Sequence, residues 1–140
     1  MEIDPRGPRF GAVITVVVLA VVLITGSAWL LAAQVVVFAV GAIAGLRYAP
    51  YGLLYRRLVR PRLGPPAHTE AEAPPRFAQG MGMVFAAAGV LCYALGVTAG
   101  GLVFTALALV AAFLNAAFDL CLGCQVYLFI QRHLRIRPSV

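Results

Sequence analysis

The chain has 140 residues, of which 62% are hydrophobic and only 11% are charged. An average soluble domain has about 25% charged residues, so a soluble domain of this length could not bury so much apolar surface. The net charge of +6 does not indicate nucleic-acid binding, because the basic residues cluster between and after apolar runs. We therefore predict an integral protein of the lipid bilayer with no nucleic-acid partner.

Four apolar segments predict an all-α, polytopic membrane protein of two similar helical hairpins in a single domain, residues 1–140. The first segment is too long for the core of a signal peptide, so we expect a retained transmembrane helix. The first hairpin should bend near Gly26–Ser27 or near Ala32–Gln34. The middle connection, residues 56–76, is predicted to be a long polar loop. The four predicted spans cover residues 12–32, 34–55, 78–97 and 102–130, and the second is interrupted by Arg47 and Pro50.

The positions of the arginines predict the orientation of these spans. Arginines precede the first span, occupy the middle loop and follow the fourth span, whereas the short opposite loops carry no charge. Cytoplasmic loops are enriched in arginine and lysine. We therefore predict a multi-pass protein of the inner (plasma) membrane, with both termini and the middle loop in the cytoplasm.

A faint internal repeat relates the two predicted hairpins. The motif Pro-Arg-Phe opens the first span at residues 8–10 and the third at residues 75–77. An even number of spans in each half predicts a parallel repeat about the membrane normal. The same spacing also occurs in the arginines after the second and fourth spans: Arg57, Arg60 and Arg62, and Arg132, Arg135 and Arg137.

Three stretches carry a resemblance to a known family: IDPRGPRFGA, PPRFAQGMG and AAFLNAAFDLCLGCQVY. The chain resembles, over nearly its whole length, a family of small actinobacterial four-span membrane proteins known as a domain of unknown function. The element FLNAxFxxCLGCxxY is the specific part of this resemblance. The resemblance implies four spans and a role tied to thioredoxin-like or sulfurtransferase proteins, and it supplies no established activity.

Two cysteines in the fourth predicted span form a CxxC motif. On a continuous helix, Cys121 and Cys124 share one face with Gln125, and their Cα atoms lie about 5 Å apart, which a disulfide tolerates. Their position in the span predicts a site near the cytoplasmic interface, where a CxxC is more often catalytic or metal-binding than structural. Packing of two small apolar residues is the alternative. Asp119 lies on the other face of this helix, beside Asn115.

Asp119 is the only acid, and Arg47 the only base, that we predict inside a span, which makes both functional candidates. If Arg57 matches Arg132 in the repeat, Arg47 falls opposite Leu122, about one turn from the depth of Asp119. Two interpretations follow. The two residues form a buried pair that only fixes helix packing, or Asp119 relays a proton for the thiols.

Arg9 and Arg76 stand at the cytoplasmic starts of the first and third spans. A helix N-terminus with an arginine is suited to bind an anion, and its positive potential lowers the pKa of a nearby thiol. Membrane anchoring and topology are the simpler explanation for each arginine.

Two further interpretations concern the remaining thiol and metal binding. Cys92 is expected to pack in the third span, with a role as resolving thiol as the alternative. The CxxC pair with His133 or His68 could hold a metal, but no second CxxC completes a four-ligand site, so we predict neither metal nor cofactor.

The leading hypothesis is a membrane component of thiol or sulfur redox metabolism, whose cytoplasm-facing dithiol handles a small anionic sulfur species or a thiol–disulfide partner. One alternative is a non-catalytic anchor for a soluble thioredoxin-like or sulfurtransferase protein, and another is a small-solute permeation protein, which would require a homo-oligomer. The predicted catalytic residues are Cys121, Cys124 and Asp119, and the predicted substrate- or anion-binding residues are Arg47, Arg9, Arg76, Asn115 and Gln125.

Overall fold

The computed structural model describes residues 2–134, and helices dominate it, which confirms the predicted all-α class. A 3-10 turn and two π-helical turns interrupt or extend the α-helices. The α-helices are α1 (Arg6–Thr25), α2 (Ala28–Ala39), α3 (Pro50–Leu54), α4 (Arg60–Leu63), α5 (Ala73–Ala94), α6 (Thr98–Phe118) and α7 (Leu122–Leu134). The other helical turns are Val40–Ala44 and Tyr55–Val59, both π-helical, and Leu46–Tyr48, which is 3-10.

Three helices of the described part are long and apolar enough to cross a membrane: α1, α5 and α6. The continuous helix Ala28–Ala44 is also apolar but shorter. Large apolar side chains cover the outside of these helices; Ile24 is 84% exposed and Trp29 is 88% exposed. Such a surface suits contact with lipid and indicates a membrane protein.

The first hairpin turns at Gly26–Ser27, so the predicted first span, residues 12–32, is wrong at its end. Gly26 ends α1 with a φ of 68°, a left-handed conformation that glycine adopts without steric cost. Ser27 begins α2, and its side chain accepts a hydrogen bond from the Leu30 amide. The alternative bend near Ala32–Gln34 is therefore wrong, because α2 runs through those residues.

The predicted interruption of span 34–55 is confirmed, since its helix breaks before Arg47, whereas a continuous helix through residues 102–130 is wrong, because that helix breaks too. The first ends at Gly45, whose φ of 114° and ψ of 156° are accessible to glycine alone. The second ends at Asp119, with a φ of 57°. Short helices follow each break: the run from α3 to α4, which Pro50 opens, and α7.

The predicted loop of residues 56–76 is wrong at both ends. Its first part is helical as far as Leu63, and α5 begins at Ala73 rather than near residue 78. Two prolines occupy the first turn of α5, where the missing amide removes no intrahelical hydrogen bond.

The two hairpins interleave in the core of the bundle. Helix α2 packs on α5, and α1 packs on α6, so each half contacts the other. Glycines permit the close approach; a Cβ at Gly89 would lie 2.9 Å from Leu31. The short helices lie against the starts of the long ones, with α3 on α1 and α7 on α5. The buried apolar core consists of Leu19, Val22, Leu31, Phe38, Ala86 and Ala108.

The two halves make matching contacts, as the sequence repeat predicts. The rings of Phe10 and Tyr55 lie 5.7 Å apart at 50°, and those of Phe77 and Tyr127 lie 5.6 Å apart at 50°. This match corrects the register after the breaks, because it aligns Arg132 with Arg60 rather than with Arg57. The halves also meet in an antiparallel strand pair, β1 (Glu2–Ile3) with β2 (Glu70–Ala71).

Candidate dithiol site

The CxxC motif begins α7. Cys121 directly precedes the helix, and its sulfur accepts a hydrogen bond from the Cys124 amide at 3.1 Å. A disulfide joins the two cysteines, with their Cα atoms 5.2 Å apart. Both side chains are half-buried. The pair thus stands at the positive end of a helix dipole, a position that favours thiolate in a reduced cysteine.

The break before α7 changes the geometry that a continuous helix predicted. Cys121 belongs to the break rather than to the helix face, and its carbonyl accepts the Gln125 amide at 3.0 Å. The Gln125 side chain is exposed. The predicted shared face of the cysteines and Gln125 is therefore replaced by a helix start, with Cys121 in the N-cap position.

Asp119 ends α6 in a left-handed conformation, and its amide donates to the Asn115 carbonyl at 3.1 Å. Aspartate adopts this conformation more readily than most residues because of its short polar side chain. The carboxylate is exposed. This backbone role accounts for an acid at this point in an apolar run.

The predicted ion pair between Asp119 and Arg47 is wrong for the described residues, whose salt bridges do not include it. The exposed Arg47 guanidinium lies instead 5.5 Å from the centre of the Tyr48 ring. The physical reason is the break at Gly45, because Arg47 lies in the 3-10 turn after this break and not on the predicted continuous helix.

Arg9 and Arg76 bind carbonyl groups where the helices break. Arg9 donates from Nε to Ala116 at 3.1 Å and from Nη2 to Ala117 at 3.4 Å, at the end of α6. The final carbonyls of a helix lack intrahelical partners and carry partial negative charge. The arginine therefore stabilises the end of the helix that precedes the dithiol.

Arg76 makes the equivalent contacts in the other half. Its Nε donates to Ala42 at 2.8 Å and its Nη2 to Ile43 at 2.6 Å. Each Pro-Arg-Phe arginine thus caps a broken helix of the opposite half. This role was not apparent from the sequence, and anion binding by either arginine stays a prediction.

Glu72 is a second residue that sequence analysis missed, because it lies in the predicted polar loop. The residue is buried, and its Oε2 accepts the Leu46 amide at 2.9 Å, directly after the first break. A Cβ at Gly45 would lie 3.2 Å from the same oxygen. The repeat could have indicated a role for Glu72. Glu72 stands shortly before the second Pro-Arg-Phe motif, as Asp4 stands shortly before the first.

Asp4 forms a polar cluster at the start of α1. Its carboxylate accepts hydrogen bonds from Arg6 at 3.0 Å and from the Tyr55 hydroxyl at 2.9 Å, and Arg60 lies 3.9 Å away. Burial raises the pKa of Asp4, but the hydrogen bonds from Arg6 and Tyr55 outweigh it and lower the pKa below its usual value. The cluster ties the N-terminus to the helix after the first break.

Gly123 sets the distance between α7 and α5. A Cβ at Gly123 would lie 2.5 Å from the Ala78 Cβ and 2.6 Å from the Ala78 Cα. The helix that carries the dithiol therefore packs on the start of α5, backbone against backbone. The glycine inside CLGC is explained by this contact.

A family model for a domain of unknown function, DUF4395, matches residues 3–132, which include both breaks and the dithiol. The chain belongs to this family. The predicted membership of an uncharacterised family is thereby confirmed. No curated protein and no solved structure is significantly similar to the chain.

In this DUF4395 protein the third cysteine lies far from the pair. Cys92 is 14 residues beyond Ala78 on α5, or about 21 Å along the helix. A Cβ at Gly100 would lie 2.7 Å from its sulfur. Cys92 therefore packs against the start of α6, and its interpretation as a resolving thiol is wrong.

The residues proposed for a metal are not brought together. His68 lies 3.4 Å from Glu70 in the connection before α5. Within residues 2–134, no group of three or more His, Cys, Asp or Glu side chains is placed to hold a metal ion. The structure thus offers no support for the interpretation of the cysteines as metal ligands with His133 or His68.

Proposed function

We propose that this DUF4395 protein is a four-span membrane component of thiol or sulfur redox metabolism. The observation that carries the proposal is the position of Cys121, whose sulfur caps α7 and accepts the Cys124 amide. Redox-active thiols are commonly activated at helix N-termini. Packing alone does not require a second cysteine at the third position of the same helix.

The proposed reaction is thiol–disulfide exchange. The Cys121 thiolate attacks one sulfur of a partner disulfide, forms a mixed disulfide and releases the other partner sulfur as a thiol. Cys124, 5.2 Å away between Cα atoms, then attacks Cys121, so the partner leaves fully reduced and the pair is oxidised. A soluble thioredoxin-like dithiol is the proposed reductant that restores the pair, and a sulfurtransferase is the proposed partner for transfer of a sulfane sulfur.

We propose that the protein crosses the plasma membrane four times and has both termini in the cytoplasm. The four spans are α1, the helix Ala28–Ala44, α5 and α6. The arginines of residues 56–62, on the helix after the first break, support this orientation under the positive-inside rule. The dithiol then lies at the cytoplasmic end of the bundle, where soluble partners can reach it.

Site-specific labelling tests the proposal. Reduced Cys92→Ser protein in inverted and right-side-out vesicles is treated with a membrane-impermeant maleimide, with and without mild oxidant, and mass spectrometry locates the adducts. We expect Cys121 or Cys124 to react only from the cytoplasmic side and the oxidant to protect both together. A matched Cys121→Ser variant should leave Cys124 labelled after oxidation.

The result that would overturn the proposal is a pair that stays unlabelled from both sides while a cysteine introduced near Gly64 labels normally. The anchor function, which does not need the thiols, would then take first place. Retention of the cellular function in the Cys121→Ser and Cys124→Ser variants would lead to the same conclusion.

A permeation function is the second candidate, and the two broken helices favour it. Discontinuous helices commonly form solute sites in transporters. A single bundle of this size offers little room for a pore, so this candidate also requires a homo-oligomer. Uptake of labelled anions into vesicles that contain the purified protein separates it from the redox proposal, which predicts no uptake.

A further inference from the structure

A cleft of about 290 Å³ lies between the start of α1 and the segment from Leu46 to Arg60. This volume is near the lower limit of small-molecule pockets, which run from about 300 to 1,000 Å³. The cleft therefore suits a ligand of a few heavy atoms. Its polar and charged lining consists of Asp4, Arg47, Tyr51, Tyr55, Arg56, Arg60 and Gln79.

The charges around this cleft are unbalanced. Asp4 is the only acid in the lining, and Arg6 at 3.0 Å and Arg60 at 3.9 Å already neutralise it. No acid of residues 2–134 forms a salt bridge with Arg47 or Arg56. Arg47 and Arg56 thus line a small cleft without a counter-charge from the described chain.

Contacts of the protein hold these groups in place before any ligand arrives. Arg56 donates from Nη2 to the Arg47 carbonyl at 2.6 Å, and the Arg47 guanidinium lies 5.5 Å from the Tyr48 ring centre. Pre-organised guanidinium groups are effective ligands for oxyanions, because their parallel donors match two oxygens at once.

A buried donor without a partner lies behind the lining residue Tyr51, outside the lining itself. Tyr51 lines the cleft, and its hydroxyl donates to Gln34 Oε1 at 2.7 Å. Gln34 is 1% exposed, and its Nε2 has no hydrogen-bond partner among the described residues. A buried amide without a partner is costly, and a water or an ion is one way in which such a group is satisfied.

We propose that this cleft binds a small tetrahedral oxyanion, of the sulfate, thiosulfate or phosphate type, through Arg47 and Arg56. The proposal goes beyond the dithiol function, since both arginines lie in the first half and the site uses no thiol. The ligand is a free ion or the phosphate of an anionic lipid headgroup, because both present the same oxygens to the arginines.

Binding to the purified full-length protein tests the site. Radiolabelled sulfate and thiosulfate are titrated at constant ionic strength, with chloride as the balancing anion, into nanodiscs of phosphatidylcholine. We expect saturable binding that Arg47→Gln or Arg56→Gln each weakens about tenfold or more, because each removes one charge-assisted contact. Arg57→Gln is the matched control, since Arg57 is exposed on the same helix and lies outside the cleft lining; its affinity should stay within about twofold.

Three outcomes would overturn the proposal: absence of saturable binding, equal weakening by Arg57→Gln, or unchanged affinity in both cleft variants. Nanodiscs with phosphatidylglycerol identify the source of the ligand. A headgroup in the cleft should raise the apparent Kd for sulfate through competition, whereas a site for free ions should keep its Kd. The Cys121→Ser, Cys124→Ser double variant should bind sulfate normally, so failure of the redox proposal would not be mistaken for failure of this one.

Discussion

The N-terminal and C-terminal halves have the same arrangement of helices. They differ in the contact between the helix after the break and the long helix of the same half, which is α3 on α1 in the first half and α7 on α5 in the second. In the first half Tyr51 faces Gly11, where an added Cβ would still lie 3.5 Å away. In the second half Gly123 meets Ala78 with no room for one more carbon. In the first half the large side chain of Tyr51 leaves an open, polar cleft beside the contact. In the second half Gly123 lets the CxxC helix pack directly on α5.

The largest effect is expected from Gly123→Ala. Its Cβ would overlap Ala78 Cβ and Cα, so α7 must move away from α5. Overpacking of this kind typically costs about 1–3 kcal/mol, and here the obstacle includes backbone. Thermal unfolding in detergent should show a clear fall in Tm, and the pair should become more reactive towards maleimide.

Gly80→Ala provides the matched control for this substitution. It is also a helical glycine, but its Cβ would lie 3.8 Å from Ala42, an ordinary contact. Alanine favours a helix over glycine by about 1 kcal/mol, so the Tm of this variant should stay level or rise. Equal losses in both variants would contradict the close packing of α7 on α5.

Much of the fold follows from the sequence because hydrophobic segments and arginines report directly on membrane insertion. The helical class, the hairpin turn at Gly26 and the Pro-Arg-Phe repeat were all readable. Arg47 and Pro50 indicated an interruption of the second span but not its place at Gly45, and the second break was not readable, because apolar composition continues around Asp119 and Cys121. Only the backbone conformation, with φ of 114° and 57°, reveals that the helices end there.

The site was predictable in its chemistry but not in its geometry. The two cysteines stood out by spacing alone, yet their place at a helix start depends on the break before them. The long-range partners of Arg9, Arg76 and Glu72 were not readable, because they are backbone atoms of distant segments. Backbone atoms carry no sequence signal, so tertiary caps of this kind escape pattern analysis.

The second prediction concerns Asp4, whose carboxylate joins the start of α1 to Tyr55 in the helix after the first break. Asp4→Asn should destabilise the protein at pH 7 by about 1.5–3 kcal/mol, the typical contribution of hydrogen bonds with charged groups. Since the folded pKa of Asp4 is lowered, its stabilisation is complete above the unfolded value near 3.9 and is lost as the pH falls through the folded value.

Unfolding by urea in detergent, from pH 7 down to pH 3, tests this dependence. The difference between wild type and Asp4→Asn should shrink below about pH 4. Glu70→Gln is the control, because this carboxylate is exposed and its partner His68 is exposed as well. A gap between wild type and Asp4→Asn that does not depend on pH would show that the charge of Asp4 is irrelevant.

The third prediction compares the two arginine caps. Arg76→Met and Arg9→Met keep the aliphatic stem and remove the donors. Arg76 makes shorter bonds, 2.8 and 2.6 Å, one of them partly buried, whereas those of Arg9 are 3.1 and 3.4 Å and exposed. We expect a loss of about 1–2 kcal/mol at Arg76 and less than about 1 kcal/mol at Arg9, measured by urea unfolding. The opposite ranking would mean that the second break depends more on its cap than the first.

The smallest effect separates the two tyrosines that occupy equivalent ring contacts. Tyr55→Phe keeps the contact with Phe10 but removes the hydrogen bond to Asp4. We expect this variant to lose about 1 kcal/mol of stability, the typical contribution of one hydrogen bond. Tyr127→Phe keeps the contact with Phe77 and loses only an exposed bond from Gln131, so its cost should stay below about 0.5 kcal/mol. The same substitution at matched positions thus isolates the polar cluster of the first half. If both variants lose equal stability in urea unfolding, the Tyr55–Asp4 hydrogen bond contributes no more than the exposed bond at Tyr127, and the two halves are more alike in energy than in structure.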